Sequence, residues 1–209
     1  MEYEIRFYYP LTKYKEKLLE LKKTKELNFE GRKYEITSQF DHPSKKFSFY
    51  TKEVDGRFRI RKTESKKGIK CMISWKRRLN DTVDKKINKE EEVEISINSK
   101  DYDNLMFLIN NVLHMKEIET YERYRTTFSN DEIEIVLDEY PFGLALEIEA
   151  KKNIDNPEKI INKYITLLNL KYEDSYKLSW DDKYEQLCKE QKMEKFSKVL
   201  FDKPMPKIK

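Results

Sequence analysis

The chain has 209 residues, with 43 Lys+Arg against 39 Asp+Glu, a net charge of +4, 39% charged residues and 13% aromatic ones. Charge this dense but this balanced excludes a disordered acidic or basic tail, and also the cationic excess of a protein held on nucleic-acid phosphates. Four scattered glycines, Gly31, Gly56, Gly68 and Gly143, exclude a Gly-rich phosphate loop, and two histidines, His42 and His114, exclude a His-based zinc centre.

Cys71 and Cys188 form no metal or redox motif, and a reduced pair in a cytoplasmic protein is the expectation. No apolar run approaches the roughly 20 residues of a membrane span. The first residues, Met1-Glu2-Tyr3-Glu4, lack the basic and apolar regions of a signal peptide.

Residues 2–7 alternate, with Glu2, Glu4 and Arg6 on one face and Tyr3, Ile5 and Phe7 on the other, which predicts a strand with one charged side. Pro10 ends it. A Lys-rich helix is predicted over 12–28, stopped by Gly31, and a strand over 33–41. Residues 46–50 and 57–62 read as a hairpin about Asp55-Gly56, with Arg57, Arg59 and Arg61 sharing one face of its second arm. A turn at Lys67-Gly68 leads to a strand over 69–78, where Met72, Ser74, Lys76 and Arg78 share a face. A polar loop, 79–89, precedes a strand over 90–97 that alternates Glu90, Glu92 and Glu94 with Val93, Ile95 and Ile97.

Ser99, Asp101 and Asp103 suit a helix N-terminus. That helix is expected over 100–114, burying Tyr102, Leu105, Met106, Ile109, Val112 and Leu113. Strands are expected over 117–128, with Glu119, Tyr121, Arg123 and Arg125 on one face, and over 132–139, with Glu134 and Asp138 inward. After the Pro141-Phe142-Gly143 turn, 144–150 sets Glu147 and Glu149 against Leu146, Ile148 and Ala150. A helix starts near Pro157, another covers about 180–201, and 202–209 reads as a frayed tail.

One charged strand face needs only water beside it. Here many such faces share acids and bases, and the bases are nearly all Arg although Lys is plentiful elsewhere. Arg is preferred where rigid, multidentate contact with phosphate or carboxylate matters. The Glu-x-Glu pairs at 2/4 and 147/149 set carboxylates about 7 Å apart along a strand, and such oxygens suit a hard cation such as Mg²⁺ or Mn²⁺. A metal with a clamp of cations is equipment for phosphoryl chemistry. Were the sheet closed into a barrel, these faces would converge on one lumen and the helices would cover the apolar outside.

The ordered set of motifs resembles the CYTH superfamily, also called triphosphate tunnel metalloenzymes. Glu2-x-Glu4-x-Arg6 resembles the ExExK signature, and Arg59-Ile60-Arg61 the RxR strand. Ser74-Trp75-Lys76, Glu92-x-Glu94 and Arg123-Tyr124-Arg125 follow in the family's order. So do Asp138, Gly143 through Glu147-Ile148-Glu149, and Asp174-Ser175-Tyr176. The resemblance covers 1–178 as the tunnel domain and leaves 179–209 as a C-terminal extension.

The resemblance implies an α+β fold, an eight-stranded antiparallel β-barrel with flanking helices, that hydrolyses a triphosphate with Mg²⁺ or Mn²⁺. The substrate would be inorganic tripolyphosphate, a nucleoside triphosphate or thiamine triphosphate. Glu2 and Glu4 would hold metal with Glu149 and Glu147, and Asp138 would serve a second metal or the attacking water. Arg59, Arg61, Lys76, Arg123 and Arg125 would hold phosphates, with Arg57 and Arg78 also directed inward. Glu92 and Glu94 would be metal-related or would orient the bases. The family's Lys is replaced by Arg6, which stays protonated, so an electrostatic role is expected there rather than a general base. Class IV adenylate cyclases of the superfamily carry a His-Phe pair just upstream of ExExK. None precedes Glu2, so a cyclase is the alternative to hydrolysis, and a non-catalytic binder of polyphosphate or triphosphate-ended RNA is a third. The expected partner is a triphosphate-bearing small molecule, with no membrane or duplex DNA, in a monomer or a homodimer.

Overall fold

The alternating segments do become strands, because each has an apolar face to bury and a backbone that needs ladder partners. The computed structural model describes residues 1–66, 68–79 and 86–209. Its elements begin with β1 (Glu2–Tyr9), α1 (Tyr14–Lys23), β2 (Asn28–Asp41), β3 (Gly56–Ser65), β4 (Gly68–Arg78), β5 (Asn88–Ile97) and α2 (Tyr102–Phe107). They continue with β6 (Lys116–Ser129), β7 (Ile133–Tyr140), β8 (Gly143–Ala150), α3 (Pro157–Leu167), α4 (Trp180–Gln191) and β9 (Lys198–Val199).

The sheet runs β2-β3-β4-β5-β1-β8-β7-β6, and pairing of β2 with β6 closes it into an eight-stranded antiparallel barrel. Closure gives each of these eight strands a neighbour on both sides, although β1 and β5 pair only at Glu2–Glu4 and part of β6 lies beyond the reach of β7. There β9 pairs in parallel at Thr120 and Tyr121.

The apolar faces point outward. Ile5, Phe7, Ile135, Leu137, Leu146 and Ile148 are buried beneath α1 and α3, with Leu21, Ile161 and Tyr164 facing them. Full burial of such side chains stabilises by about 1.5–3 kcal/mol each. On the other side Phe40 and Ile60 meet Ile109 from the helical segment that follows β5. At one end of the barrel Tyr121, Tyr140 and Phe142 pack on Trp180, Tyr184 and Leu187 of α4.

The structure corrects several expected boundaries. The first helix ends at Lys23, and Gly31, expected to stop it, instead sits at a bulge in β2 with φ 113°. The long ladder to β6 recruits 28–32 into the strand. No strand forms at 46–50; β3 takes β2 as its partner across a loop, and Gly56 lies under the Trp75 ring, where an added Cβ would be 2.3 Å from Cη2. The segment after β5 is a 3₁₀ turn, a short α2 and a π turn, which rotates Val112 and Leu113 out to 54% and 55% exposure.

The last helix stops at Gln191, where Lys192 takes a left-handed conformation. Beyond it the chain is not frayed: Met205 is buried, Ile208 donates its N–H to the Phe142 carbonyl, and Gln191 and Lys207 exchange hydrogen bonds. Lys67 of the expected Lys67-Gly68 turn, and 80–85 of the expected loop, lie outside the described residues. Cys71 and Cys188 are buried free thiols. No helix among the described residues is long and apolar enough to cross a membrane.

Candidate functional site in the barrel lumen

The charged faces line one cavity of about 500 Å³ inside the barrel. Strand pairing explains which side chains meet. Glu4 lies beside Glu149 and Arg6 beside Glu147 across β1 and β8, Glu2 beside Glu90 across β1 and β5, and Lys76 beside Glu92 across β4 and β5. Of the residues singled out in the sequence, Glu2, Glu4, Arg6, Arg57, Arg59, Arg61, Lys76, Arg123, Arg125, Glu147 and Glu149 all line it, as do Glu92 and Glu94.

Glu2, Glu4 and Glu149 each offer one carboxylate oxygen to a group lying within 4.8 Å of one another. Lys76 donates to Glu2 at 2.8 Å and to Glu4 at 3.0 Å, and pairs with Glu90 at 2.6 Å. Burial would raise the Glu4 carboxyl, but Lys76 and Arg6 hold it down at about 2. Glu149 goes the other way: burial and the Glu2 charge push it well above the usual carboxylate range. Burial and a hydrogen bond with Glu2 likewise push Glu92 up to about 7. Three hard carboxylate oxygens this close together are a donor set that fits Mg²⁺ or Mn²⁺.

Arg6 donates from Nε to Glu147 at 2.5 Å, from Nη2 to Glu4 at 2.8 Å and from Nη1 to the Leu178 carbonyl at 3.1 Å. These carboxylates hold its charge despite burial. Glu147 therefore sits among arginines, since Arg125 also approaches it at 3.3 Å, and it is not one of the three clustered carboxylates.

Asp138 is placed differently from the expectation. It is 0% exposed and does not line the cavity; Arg123 donates to it at 2.8 Å and Arg125 at 2.7 Å, so it lies behind the two arginines. Arg78 also departs: it pairs with Asp55 at 3.0 Å and Asp182 at 3.2 Å, beside a second, smaller pocket. Arg57 borders both pockets.

Some lumen residues were not assigned a site role in the sequence. Glu35 accepts from Arg123 at 2.8 Å, and its alternation with Lys33 in 33–41 was a usable signal. Ser179 and Trp180, from the segment after the last barrel strand, also line the cavity, and no local pattern announces that. Ser179 begins α4 with a capping box to Asp182 and meets Arg57 at 3.1 Å. The Ser175-Tyr176 pair lies in the strap leading there: Tyr176 donates its N–H to the Arg6 carbonyl at 2.7 Å and packs edge-on against Tyr8.

The fold is a closed eight-stranded antiparallel barrel whose lumen carries clustered glutamates and facing arginines. No protein-family model and no curated protein matches the chain. Solved structures do match. A protein from Pyrococcus horikoshii aligns at TM-score 0.63 and 22% identity over 86% of this chain and 97% of its own. A candidate adenylyl cyclase from Hippeastrum, described as having a dominant triphosphatase activity, aligns at TM-score 0.61 and 16% identity over 89% of this chain and 96% of its own. A candidate adenylate cyclase from Vibrio parahaemolyticus aligns at TM-score 0.60 and 16% identity, over 86% and 96% of the two chains. At these identities the likeness is one of fold.

Proposed function

We propose that this protein hydrolyses a triphosphate in its lumen with the help of Mg²⁺ or Mn²⁺. The observation that carries the reading is the convergence, in one cavity inside the barrel, of the Glu2–Glu4–Glu149 group with Arg59, Arg123 and Arg125. Glu2, Glu4 and Glu149 would hold the cation, which when bound neutralises phosphate charge. Arg59, Arg61, Arg123 and Arg125 bind phosphate oxygens; Asp138 aims Arg123 and Arg125 from behind, and Glu35 holds Arg123 from within the lumen. Arg6 cannot take a proton from water, so it stabilises charge that develops in the transition state. Lys76, which pairs with Glu2, Glu4 and Glu90, would be a further cation for a phosphate oxygen.

Hydrolysis then balances simply. The oxygen of water bonds to the terminal phosphorus, and the bridging P–O bond breaks with its electron pair on the departing phosphate chain. Of the two protons of the water, one stays on the orthophosphate formed and the other passes to the departing chain or to solvent.

The test is product analysis after incubation with tripolyphosphate, ATP or thiamine triphosphate and Mg²⁺ or Mn²⁺. Orthophosphate is the expected product. Cyclic AMP with pyrophosphate would identify a cyclase instead, and tight binding without turnover a non-catalytic binder.

A further inference from the structure

The barrel wall is incomplete where β5 runs past the start of β1. The two strands pair only from Glu2–Glu90 to Glu4–Asn88, so among the described residues no strand lies beside 91–97 on that side. The other side of the same stretch is paired to β4 throughout, from Arg77–Glu91 to Cys71–Ile97. Leu79 donates its N–H to the Lys89 carbonyl, which turns the main chain of residue 89, and by alternation that of 91, 93, 95 and 97, toward β4. The N–H and C=O groups of Glu92, Glu94 and Ser96 therefore face the bare side. Side chains are uncovered here as well: Val93 and Ile95 are 53% and 56% exposed on the outer face, beside Trp75 and Ile73 of β4. From the turn after β8, Lys152 comes within 3.9 Å of Glu92, at the start of this stretch. Beyond it the edge carries no proline, no lysine and no bulge, the features that usually guard an exposed strand.

We infer that this edge pairs with the same edge of a second copy of the chain, antiparallel about a two-fold axis at Ile95. An antiparallel pair sets edge-facing residues opposite edge-facing residues, so the registers differ only in which residue lies on the axis. With Glu94 on the axis, Glu94 meets Glu94; with Val93 there, Glu92 meets Glu94. Like charges directly opposite destabilise a strand pair. Moving the axis to Ser96 sets Val93 against Ser99, outside the strand. With Ile95 on the axis, Glu94 meets Ser96, Glu92 meets Asn98 and Val93 meets Ile97. In that register each carboxylate faces a hydroxyl or an amide that can donate to it, and apolar residues face apolar residues. The Glu94–Ser96 pairs exchange main-chain hydrogen bonds. The Ile95–Ile95 and Val93–Ile97 pairs are of the non-hydrogen-bonded kind, in which side chains approach most closely. An unrelated strand would have to reproduce this pattern of charge, whereas a second copy carries it already. The pairing is independent of what the cavity binds.

The experiment measures the mass of the untagged full chain by sedimentation or light scattering over a concentration series. The wild type should pass from monomer to twice the monomer mass as concentration rises through the micromolar range. Ser96→Pro removes an edge-facing N–H and leaves the β4 ladder intact, so it should weaken dimerisation by on the order of tenfold or more while the far-UV spectrum stays that of the wild type. Ile95→Cys sets two thiols opposite each other on the axis, within reach of a disulfide, and mild oxidation should link the copies. Val93→Cys, which faces Ile97 rather than its own counterpart, should not link them. Cys71 and Cys188 are buried, so the oxidised wild type supplies the background. A chain that stays monomeric at every concentration, as it would if the edge received an extended segment of a different protein, overturns the inference. So does a dimer that Ser96→Pro leaves intact, or one in which Ile95→Cys links no better than Val93→Cys.

Discussion

Glu4 and Glu149 share a place in the structure but differ in what surrounds them: Glu4 is held ionised by Lys76 and Arg6, whereas burial and Glu2 favour the neutral form of Glu149. A hard cation bound among these oxygens, as proposed above, would relieve that conflict. Glu4→Gln and Glu149→Gln keep shape and remove charge, so turnover should fall by orders of magnitude. The fold should persist, read by an unchanged far-UV spectrum, since the outer apolar faces are untouched. Near-normal turnover by Glu4→Gln at low metal would refute its place as a ligand. Arg6 makes a separable case. Arg6→Ala removes a permanent charge from a buried position in the lumen and should cost ~10²–10³-fold in kcat. Arg6→Lys keeps the charge and should retain substantial activity, although it loses the fork that reaches Glu147, Glu4 and the Leu178 carbonyl together. A wild-type rate in Arg6→Ala would reduce the side chain to a counter-ion for the glutamates.

Strand β6 and helix α4 meet at a cluster of charge. Asp181, at the start of α4, accepts from Tyr50 at 2.5 Å and lies 3.7 Å from Arg57; despite burial, Arg57 holds its carboxyl down at about 2. Glu119 on β6 is pushed up to about 7 by burial and then by the Asp181 charge, with Lys195 at 3.6 Å only partly offsetting this. The two carboxyls bear on stability with opposite signs. Asp181 binds a proton less readily folded than unfolded, so its contribution is present above about pH 4 and is lost as pH falls toward about 2. Glu119 is the reverse: its contribution is present below the unfolded pKa of 4.5 and is lost as pH rises through about 7. Glu119→Gln imitates the protonated acid. Its melting temperature should exceed the wild type's at pH 8 and match it near pH 5; equal melting curves at both pH values would remove the charge conflict between β6 and α4. The spacing of acids along 117–128 announced Glu119 as inward-facing, but its neighbour from α4 is about sixty positions away in the chain and left no trace in the pattern.

The barrel and its C-terminal segment behave as one body. Residues 180–209 bury Trp180, Tyr184, Leu187, Val199 and Met205 against Tyr121, Tyr140 and Phe142, and Ile208 lies over Gly143. The sequence reading set 179–209 apart as a C-terminal extension whose helix packs on the barrel or binds a partner; its apolar side chains pack over one barrel end. Truncation after Ser179 should therefore do more than shorten the chain. It strips large aromatic and aliphatic contacts worth several kcal/mol at about 25 cal/mol per Å², and it frees Arg57 from Asp181. The expected result is a markedly lower melting temperature with exposed apolar surface, measured by dye binding. A soluble truncated protein with full activity would show that the segment has no part in shaping the lumen.

The inward and outward sets of side chains were legible in the sequence, because strand period two follows from backbone geometry and needs no knowledge of a partner. That is why Glu2, Glu4, Arg6, the Arg57–Arg61 series, Lys76, Arg123, Arg125 and the 147/149 pair could all be assigned to one charged surface before any pairing was known. Register and closure were not legible, since they depend on ladders between distant segments such as β2 with β6. Those ladders decide that Glu149 joins Glu2 and Glu4 while Glu147 goes to Arg6, and that Asp138 sits behind two arginines. They also leave the part of β6 beyond the reach of β7 to pair with β9. A helix-like composition over 192–201 could not compete with that unpaired edge and the apolar barrel end beside it, because local propensity is worth tenths of a kcal/mol per residue and buried packing is worth whole ones.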